Sequence, residues 1–130
     1  MAVASPPTIL IVDDDQAILS LLALTFKQGG YEVTVAATAS DAMALFGEDT
    51  VFHAVLSDVD MPGMDGHELA RWIFRNHPNT ICLLMSGFGS ECTDCPLVGQ
   101  CLLLRKPFVP NDAVAVMTRK LNARRDSKEL

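Results

Sequence analysis

Long apolar runs are missing from this sequence. No apolar stretch reaches the roughly 18 to 20 residues that a membrane-spanning helix needs, and residues 1–7 lack the basic start and apolar run of a secretory signal. Positive charge is also scarce, because 10 Lys and Arg are outnumbered by 16 Asp and Glu, for a net charge of −6. An acidic chain repels the phosphate backbone of nucleic acids. We therefore expect a cytoplasmic protein that binds neither membranes nor nucleic acid directly.

Length and composition indicate one folded domain. The 130 residues are close to the commonest domain size, and 49% of them are apolar, which is enough to build a hydrophobic core. No internal linker divides the chain. We expect a flexible tail at residues 1–7, a single domain over 8–121 and a polar tail at 122–130.

Apolar runs alternate with amphipathic stretches along the chain. Residues 8–12 form a short, β-branched run, typical of a strand that is buried on both faces. Over 16–28, helical spacing predicts a helix with one buried side, and two glycines that stop helices follow it; the residues at this spacing are Ile18, Leu21, Leu22 and Thr25. The same reasoning predicts further strands at 31–36, 54–57, 80–85 and 101–104, and further helices capped by Ser40, Asp65 and Asn111.

This alternation predicts an α/β fold of the doubly wound type. Parallel strands need crossover connections, so helices cover both faces of the sheet. The helix expected between strands four and five is the exception. Residues 87–99 contain Gly89 and Pro96 and show no apolar stripe, so this fourth helix is predicted to be short or irregular.

Polar residues follow the ends of four predicted strands. Asp13 and Asp14 follow the first strand, Asp58 the third, Ser86 the fourth and Lys106 the fifth. In a doubly wound sheet, ligands bind where these ends gather. Carboxylates brought together repel one another unless a cation joins them, and oxygen ligands suit Mg²⁺ or Mn²⁺.

The same residues fit phosphoryl chemistry. A carboxylate can act as a nucleophile toward phosphorus, while a lysine and a hydroxyl donor hold the oxygens on which charge gathers. Asp58, Lys106 and Ser86 supply these three groups.

Four motifs in this order carry a family resemblance. They are ILIVDDD at residues 9–15, SDVDMPGMDG at 57–66, MSG at 85–87 and KPF at 106–108. Together they resemble the receiver domain of the response regulators of two-component signal transduction systems, over residues 8 to about 121. The resemblance implies a flavodoxin-like, five-stranded parallel sheet of order 2-1-3-4-5, whose switch point lies between strands one and three.

The resemblance also implies a role for each site residue. Asp58 is the phosphoacceptor, and Asp14, Asp58 and the backbone carbonyl of Asp60 hold Mg²⁺. Asp13 assists through a metal-bound water. The Ser86 hydroxyl forms a hydrogen bond with a phosphoryl oxygen, and Lys106 pairs with that oxygen.

A receiver domain is a switch. The implied phosphoryl donor is a histidine kinase or a phosphotransfer protein, and phosphorylation changes a surface that a downstream protein, which the sequence does not identify, recognises. Phosphoryl transfer is then self-catalysed and dephosphorylation slow, so the chain is not expected to be a turnover enzyme. We expect a monomer or a weak dimer.

Two features depart from the family pattern. Leu103 stands where most receivers carry an aromatic residue that changes rotamer with phosphorylation. Cys92, Cys95 and Cys101 lie in or beside the irregular segment and could bind Zn²⁺, form a disulfide or sense oxidants. With no nearby His and no fourth ligand, ordinary loop thiols are the default interpretation.

Two other functions remain open. The departure at Leu103 and the irregular fourth helix favour a phosphorylation-independent interaction module, a pseudo-receiver. Alternatively, Asp58-Val59-Asp60 resembles the nucleophile and acid of haloacid-dehalogenase-like phosphatases, although those enzymes need cap elements that this length hardly allows.

Overall fold

Five parallel strands form one sheet in the computed structural model of the chain. The structure describes residues 6–47, 50, 52–61, 63, 66–86, 102–105 and 108–129, with the backbone alone for 102–105 and 124–129. The strand order is β2-β1-β3-β4-β5, which confirms the predicted fold class and order. The bounds are β1 Thr8–Val12, β2 Glu32–Ala36, β3 Ala54–Asp58, β4 Ile81–Ser86 and β5 Leu102–Arg105.

The apolar strand β1 lies between β2 and β3. Ile9 pairs with Val33 of β2 and with Ala54 of β3. The residues from Ile9 to Val12 have no solvent exposure, because helices cover both faces of the sheet. The unbroken apolar run thus produces a strand buried on both sides, as predicted.

Helix α1 spans Gln16–Gln28 and α2 spans Ala39–Leu45. The helical spacing placed α1 correctly, but Leu21 is 51% exposed and Leu19 takes the buried position instead. Thr38, not Ser40, caps α2, since its side chain accepts a hydrogen bond from the backbone N–H of Asp41. Both residue types make good caps, and the prediction chose the wrong one.

Helix α3 spans Gly66–Asn76 and α4 spans Pro110–Glu129. Asn111 lies inside α4, so it is not the cap. Pro110 occupies the first helical position, where its missing N–H costs nothing and its fixed φ suits a helix. Helix α4 also runs through most of the segment 122–130 that the sequence analysis assigns to a polar tail.

The hydrophobic core has one layer on each face of the sheet. On one face α1 and α4 pack against the strands, and Phe26 and Met117 are fully buried there. On the other face α2 and α3 pack, with Leu69 and Ile73 at the centre. The sheet is therefore held rigidly from both sides, and its edges are left to carry the loops.

Some predicted features lie outside the described residues. They are Lys106, the cap Asp65, the irregular segment 87–99 and the thiols of Cys92, Cys95 and Cys101; for Leu103 only the backbone is described. In the part of the chain that is described, we find no helix long and apolar enough to cross a membrane.

Candidate functional site

Three carboxylates meet at the carboxyl edge of the sheet. Asp13 and Asp14 follow β1, and Asp58 is the last residue of β3. Val12 pairs with Ser57 in the parallel register, so the residues that follow them come to the same place. One carboxylate oxygen from each of the three Asp lies within 4.8 Å of the others. The structure thus brings together the acid cluster that the strand ends predict.

Asp13 is the most enclosed member of the cluster. It has no solvent exposure, and its backbone N–H donates a hydrogen bond to the carbonyl of Ala36, 3.2 Å away on β2. Its Oδ1 accepts a hydrogen bond of 2.9 Å from the backbone N–H of Asp15. These contacts fix both the backbone and the carboxylate of Asp13.

Asp14 and Asp15 have different roles although they are neighbours. Asp14 is exposed and belongs to the cluster. Asp15 caps α1, because its Oδ1 accepts hydrogen bonds from the backbone N–H groups of Ala17 at 3.0 Å and Ile18 at 3.3 Å. The run of three Asp therefore divides into two cluster members and one helix cap.

Hydrogen bonds hold the carboxylate of Asp58 and the backbone of the residue that follows it. It is 4% exposed, and its Oδ1 accepts a hydrogen bond from the backbone N–H of Asp60 at 3.3 Å. The next residue, Val59, donates its N–H to the carbonyl of Met85 on β4 at 2.8 Å. A carboxylate so placed has little freedom to move away from Asp13.

Ser86 lies beside this cluster along the sheet edge. It is the last residue of β4 and is fully buried, and it follows Met85, the register partner of Asp58. Its own register partner is Arg105, the last residue of β5. Lys106, which comes next in the sequence, lies outside the described residues, so its predicted place at the site stays a prediction.

Asp60 does not join the carboxylate cluster. Its side chain is exposed, and its backbone N–H contacts Asp58. The predicted contact of Asp60 with Mg²⁺ is through its backbone carbonyl, and that contact stays a prediction.

The acid cluster has the chemistry of a divalent cation site. Two of its three carboxylates are buried, and like charges so close together are costly unless a cation neutralises them. All donors are oxygen atoms, which suits Mg²⁺. Among the described residues, no other three His, Cys, Asp or Glu side chains lie this close.

Two further residues contact Asp58 and were not singled out from the sequence. The hydroxyl of Ser57 donates to the carbonyl of Asp58 at 3.1 Å, and Gly66, the first residue of α3, lies against the same peptide. Both stand inside the motif SDVDMPGMDG. The signal that could have marked Gly66 is a glycine at the start of a helix that follows the acidic strand end.

The fold is a doubly wound α/β sheet with an acid cluster at the switch point, the place where domains of this class bind their ligands. Comparison with known proteins narrows the class. The model of the response regulator receiver domain family matches residues 9–118, so the chain belongs to that family.

Individual relatives agree with this assignment. The chain is 35% identical over 102 residues to the response regulator protein FleR of Pseudomonas aeruginosa, an alignment that covers 77% of this chain and 21% of FleR. It is 36% identical over 113 residues to PetR of Rhodobacter capsulatus, covering 86% of this chain and 47% of PetR. The chain thus spans less than half the length of these two curated relatives.

Solved receiver domains match the fold almost in full. The CheY-like receiver domain protein of Methanospirillum hungatei superposes with a TM-score of 0.86 at 32% identity, covering 95% of this chain and 99% of that structure. The chemotaxis response regulator CheY4 of Vibrio cholerae gives a TM-score of 0.76 at 28% identity, covering 89% and 98%. The likeness to solved receiver domains therefore extends over most of this chain.

Proposed function

We propose that this receiver domain is a phosphorylation switch in which Asp58 accepts a phosphoryl group in a Mg²⁺-dependent reaction. The observation that carries the proposal is the convergence of Asp13, Asp14 and Asp58, with carboxylate oxygens within 4.8 Å of one another. A single acid after a strand is commonly a cap, as Asp15 is. Three acids at one edge, two of them buried, repel one another unless a cation joins them.

The described residues fit Mg²⁺, with Mn²⁺ as a substitute. The carboxylates of Asp14 and Asp58 and the backbone carbonyl of Asp60 would hold the ion, and Asp13 would act through a water. When bound, the cation supplies positive charge that offsets the negative charge of the incoming phosphoryl group. Without the cation, the carboxylates would repel that group.

The acceptor step depends on how Asp58 is held. One carboxylate oxygen of Asp58 forms a bond to phosphorus while the donor's bond to phosphorus breaks, and the leaving group keeps that electron pair. The hydrogen bond from the N–H of Asp60 fixes the carboxylate orientation during this step. The Ser86 hydroxyl would donate to a phosphoryl oxygen, and Lys106 would pair with it.

The consequence of the step is a change of state rather than turnover. The phosphoryl group adds negative charge beside Ser86, and a contact between the two draws the end of β4 toward Asp58. The expected donor is the phosphohistidine of a histidine kinase or of a phosphotransfer protein in the cytoplasm. A downstream protein then recognises the altered surface.

Mass spectrometry tests the proposal. Incubation with acetyl phosphate and Mg²⁺ is expected to add one phosphate, about 80 Da, and EDTA is expected to prevent it. Asp58→Asn should show no addition. Asp60→Asn is the matched control, since it keeps the backbone carbonyl, and it should still gain the phosphate.

The mass measurement, together with an assay of phosphomonoester hydrolysis, distinguishes the other functions. A phosphorylation-independent module gives no addition in the wild-type protein. A phosphatase hydrolyses small phosphomonoesters and loses that activity in Asp60→Asn. Either result contradicts the proposed switch.

A further inference from the structure

We propose that Gly66 is a positioning residue for Asp58. The first residue of α3 lies directly against the backbone of the acceptor, and the absence of a side chain there lets the helix close onto that peptide without displacing it. The inference rests on the proposed function of Asp58, and it extends the site to a residue that contacts no phosphate or cation.

The contact is between backbones. A Cβ atom on Gly66 would overlap the carbonyl oxygen of Asp58, and it would lie 2.9 Å from Cα of Val59 and 3.0 Å from the carbonyl carbon of Asp58. Real Cβ atoms essentially never come closer than 3.0 Å to such neighbours. Because each of these neighbours is a main-chain atom, none can rotate away as the end of a side chain could.

The neighbours of Gly66 are themselves fixed. The carbonyl of Asp58 accepts the Ser57 hydroxyl at 3.1 Å, and the N–H of Val59 donates to Met85 at 2.8 Å. The N–H of Gly66 donates to the carbonyl of Val59 at 3.2 Å, which ties α3 to the same segment. A methyl group at this position would therefore move either α3 or the Asp58 peptide.

Backbone conformation does not explain this glycine. The glycines with a positive φ in the described part of the chain are Gly30 and Gly63, and Gly66 is not among them. Alanine has a higher helix propensity than glycine, so α3 alone would favour alanine. Space beside Asp58 is the remaining reason for a glycine.

A shifted Asp58 peptide would carry its carboxylate with it. The distances to Asp13 and Asp14 and the hydrogen bond from Asp60 all depend on that peptide. Misplacing a reacting group by about 1 Å can slow a reaction by about a hundredfold. We therefore expect Gly66→Ala to reduce phosphoryl acceptance much more than it reduces folding.

Gly29→Ala provides a matched control in the same chain. A Cβ on Gly29 would lie 2.9 Å from Cγ1 of Val114, which is the end of a side chain. Gly29 follows the last residue of α1, whose first residue is next to the acid cluster, so it lies a full helix of 13 residues away from the site. The two variants make the same chemical change with different neighbours.

The experiment compares wild type, Gly66→Ala and Gly29→Ala at saturating acetyl phosphate and Mg²⁺. For Gly66→Ala we expect the maximal phosphorylation rate to fall at least tenfold and the Kd for Mg²⁺ to rise at least threefold. In the absence of Mg²⁺, its backbone ¹⁵N–¹H signals for Val59 and Asp60 should shift. Gly29→Ala should keep the wild-type rate and these signals, within twofold for the rate.

A rate for Gly66→Ala within twofold of wild type, corrected for the folded fraction, overturns the inference. An equal loss in Gly29→Ala also overturns it, because the loss would then follow stability. If Gly66→Ala does not fold, Ser57→Ala decides the question, since it removes one hydrogen bond to the same carbonyl oxygen without adding an atom. A rate at least threefold below wild type supports the inference, and an unchanged rate refutes it.

Failure of this inference and failure of the proposed function give different results. Wild-type phosphorylation with an unaffected Gly66→Ala rejects the positioning role alone. A wild-type protein that gains no phosphate rejects the proposed function, and the Mg²⁺ affinities and amide signals then decide whether Gly66 positions Asp58. A wild-type protein that also fails to bind Mg²⁺ rejects both.

Discussion

Replacing Asp58 by Asn is expected to stabilise the fold when divalent cations are removed. The wild-type cluster holds Asp13 and Asp58 buried with carboxylate oxygens within 4.8 Å of each other. Asn keeps the shape of Asp and an oxygen that can accept the N–H of Asp60, but it carries no charge. The substitution therefore removes a repulsion and leaves the packing intact.

The size of this repulsion follows from Coulomb's law. Two unit charges 4.8 Å apart repel by about 3.5 kcal/mol at an effective dielectric constant of about 20, and by about 0.9 kcal/mol in water. Solvent at the open side of the site, where Asp14 is exposed, lowers the upper figure. We expect Asp58→Asn to raise the free energy of unfolding by about 1–2 kcal/mol in EDTA, between these limits.

Urea denaturation at pH 7 measures the effect, with and without Mg²⁺. In excess Mg²⁺ the stability difference between Asp58→Asn and wild type should narrow or reverse, because wild type binds the cation more tightly. A cation that binds only the folded state adds about 2.7 kcal/mol at 100 times its Kd. Glu32→Gln is the charge control and should change little, since Glu32 is exposed and is the first residue of β2, at the opposite end of the sheet from the site. If Asp58→Asn is no more stable than wild type in EDTA, the electrostatic reasoning is wrong.

Two other substitutions test the scaffold around the site. Burial raises the pKa of Tyr31 above its usual 10.0, although the hydrogen bond to Thr118 opposes this shift. At high pH the folded protein therefore keeps a phenol proton that the unfolded chain loses. The free energy of unfolding should fall as the pH rises above about 10. Tyr31→Phe should show a smaller fall in urea titrations between pH 9 and 11, and an identical fall in both proteins contradicts the assignment. Asp15→Ala removes the cap of α1 and should cost about 1 kcal/mol of stability, measured by urea denaturation in EDTA, whereas an unchanged midpoint would show that the two hydrogen bonds to Asp15 contribute nothing.

Much of the fold could be predicted because its signals are local. The apolar run of β1 and the helical spacing of α1 each depend on neighbouring residues, and both elements were placed correctly. The acid cluster followed from one further rule, that the ends of parallel strands meet at the same edge. No long-range contact had to be known for either step.

The errors arose where the outcome depends on tertiary contacts. Thr38 and Ser40 are equally good caps by type, and packing of α2 decided between them. Leu21 fits the helical period as well as Leu19 does, but α1 is rotated so that Leu19 faces the sheet. The role of Gly66 was hidden for the same reason, since its contact with Asp58 joins a helix to a strand.

The register of the strands connects the local sequence signals with the tertiary contacts, because the geometry of the acid cluster depends on that register. Val12 pairs with Ser57, and the next residue on each strand is an Asp of the cluster. Successive side chains point to opposite faces of a sheet, so a slip of one residue between β1 and β3 would turn Asp58 to the other face and bring Ser57 beside Asp13. That slip is opposed by the buried apolar pairs below the site, such as Ile9 with Ala54 and Ile11 with Leu56. The hydrophobic pattern of the strands therefore determines more than the stability of the domain, since it also sets which acids can share a cation.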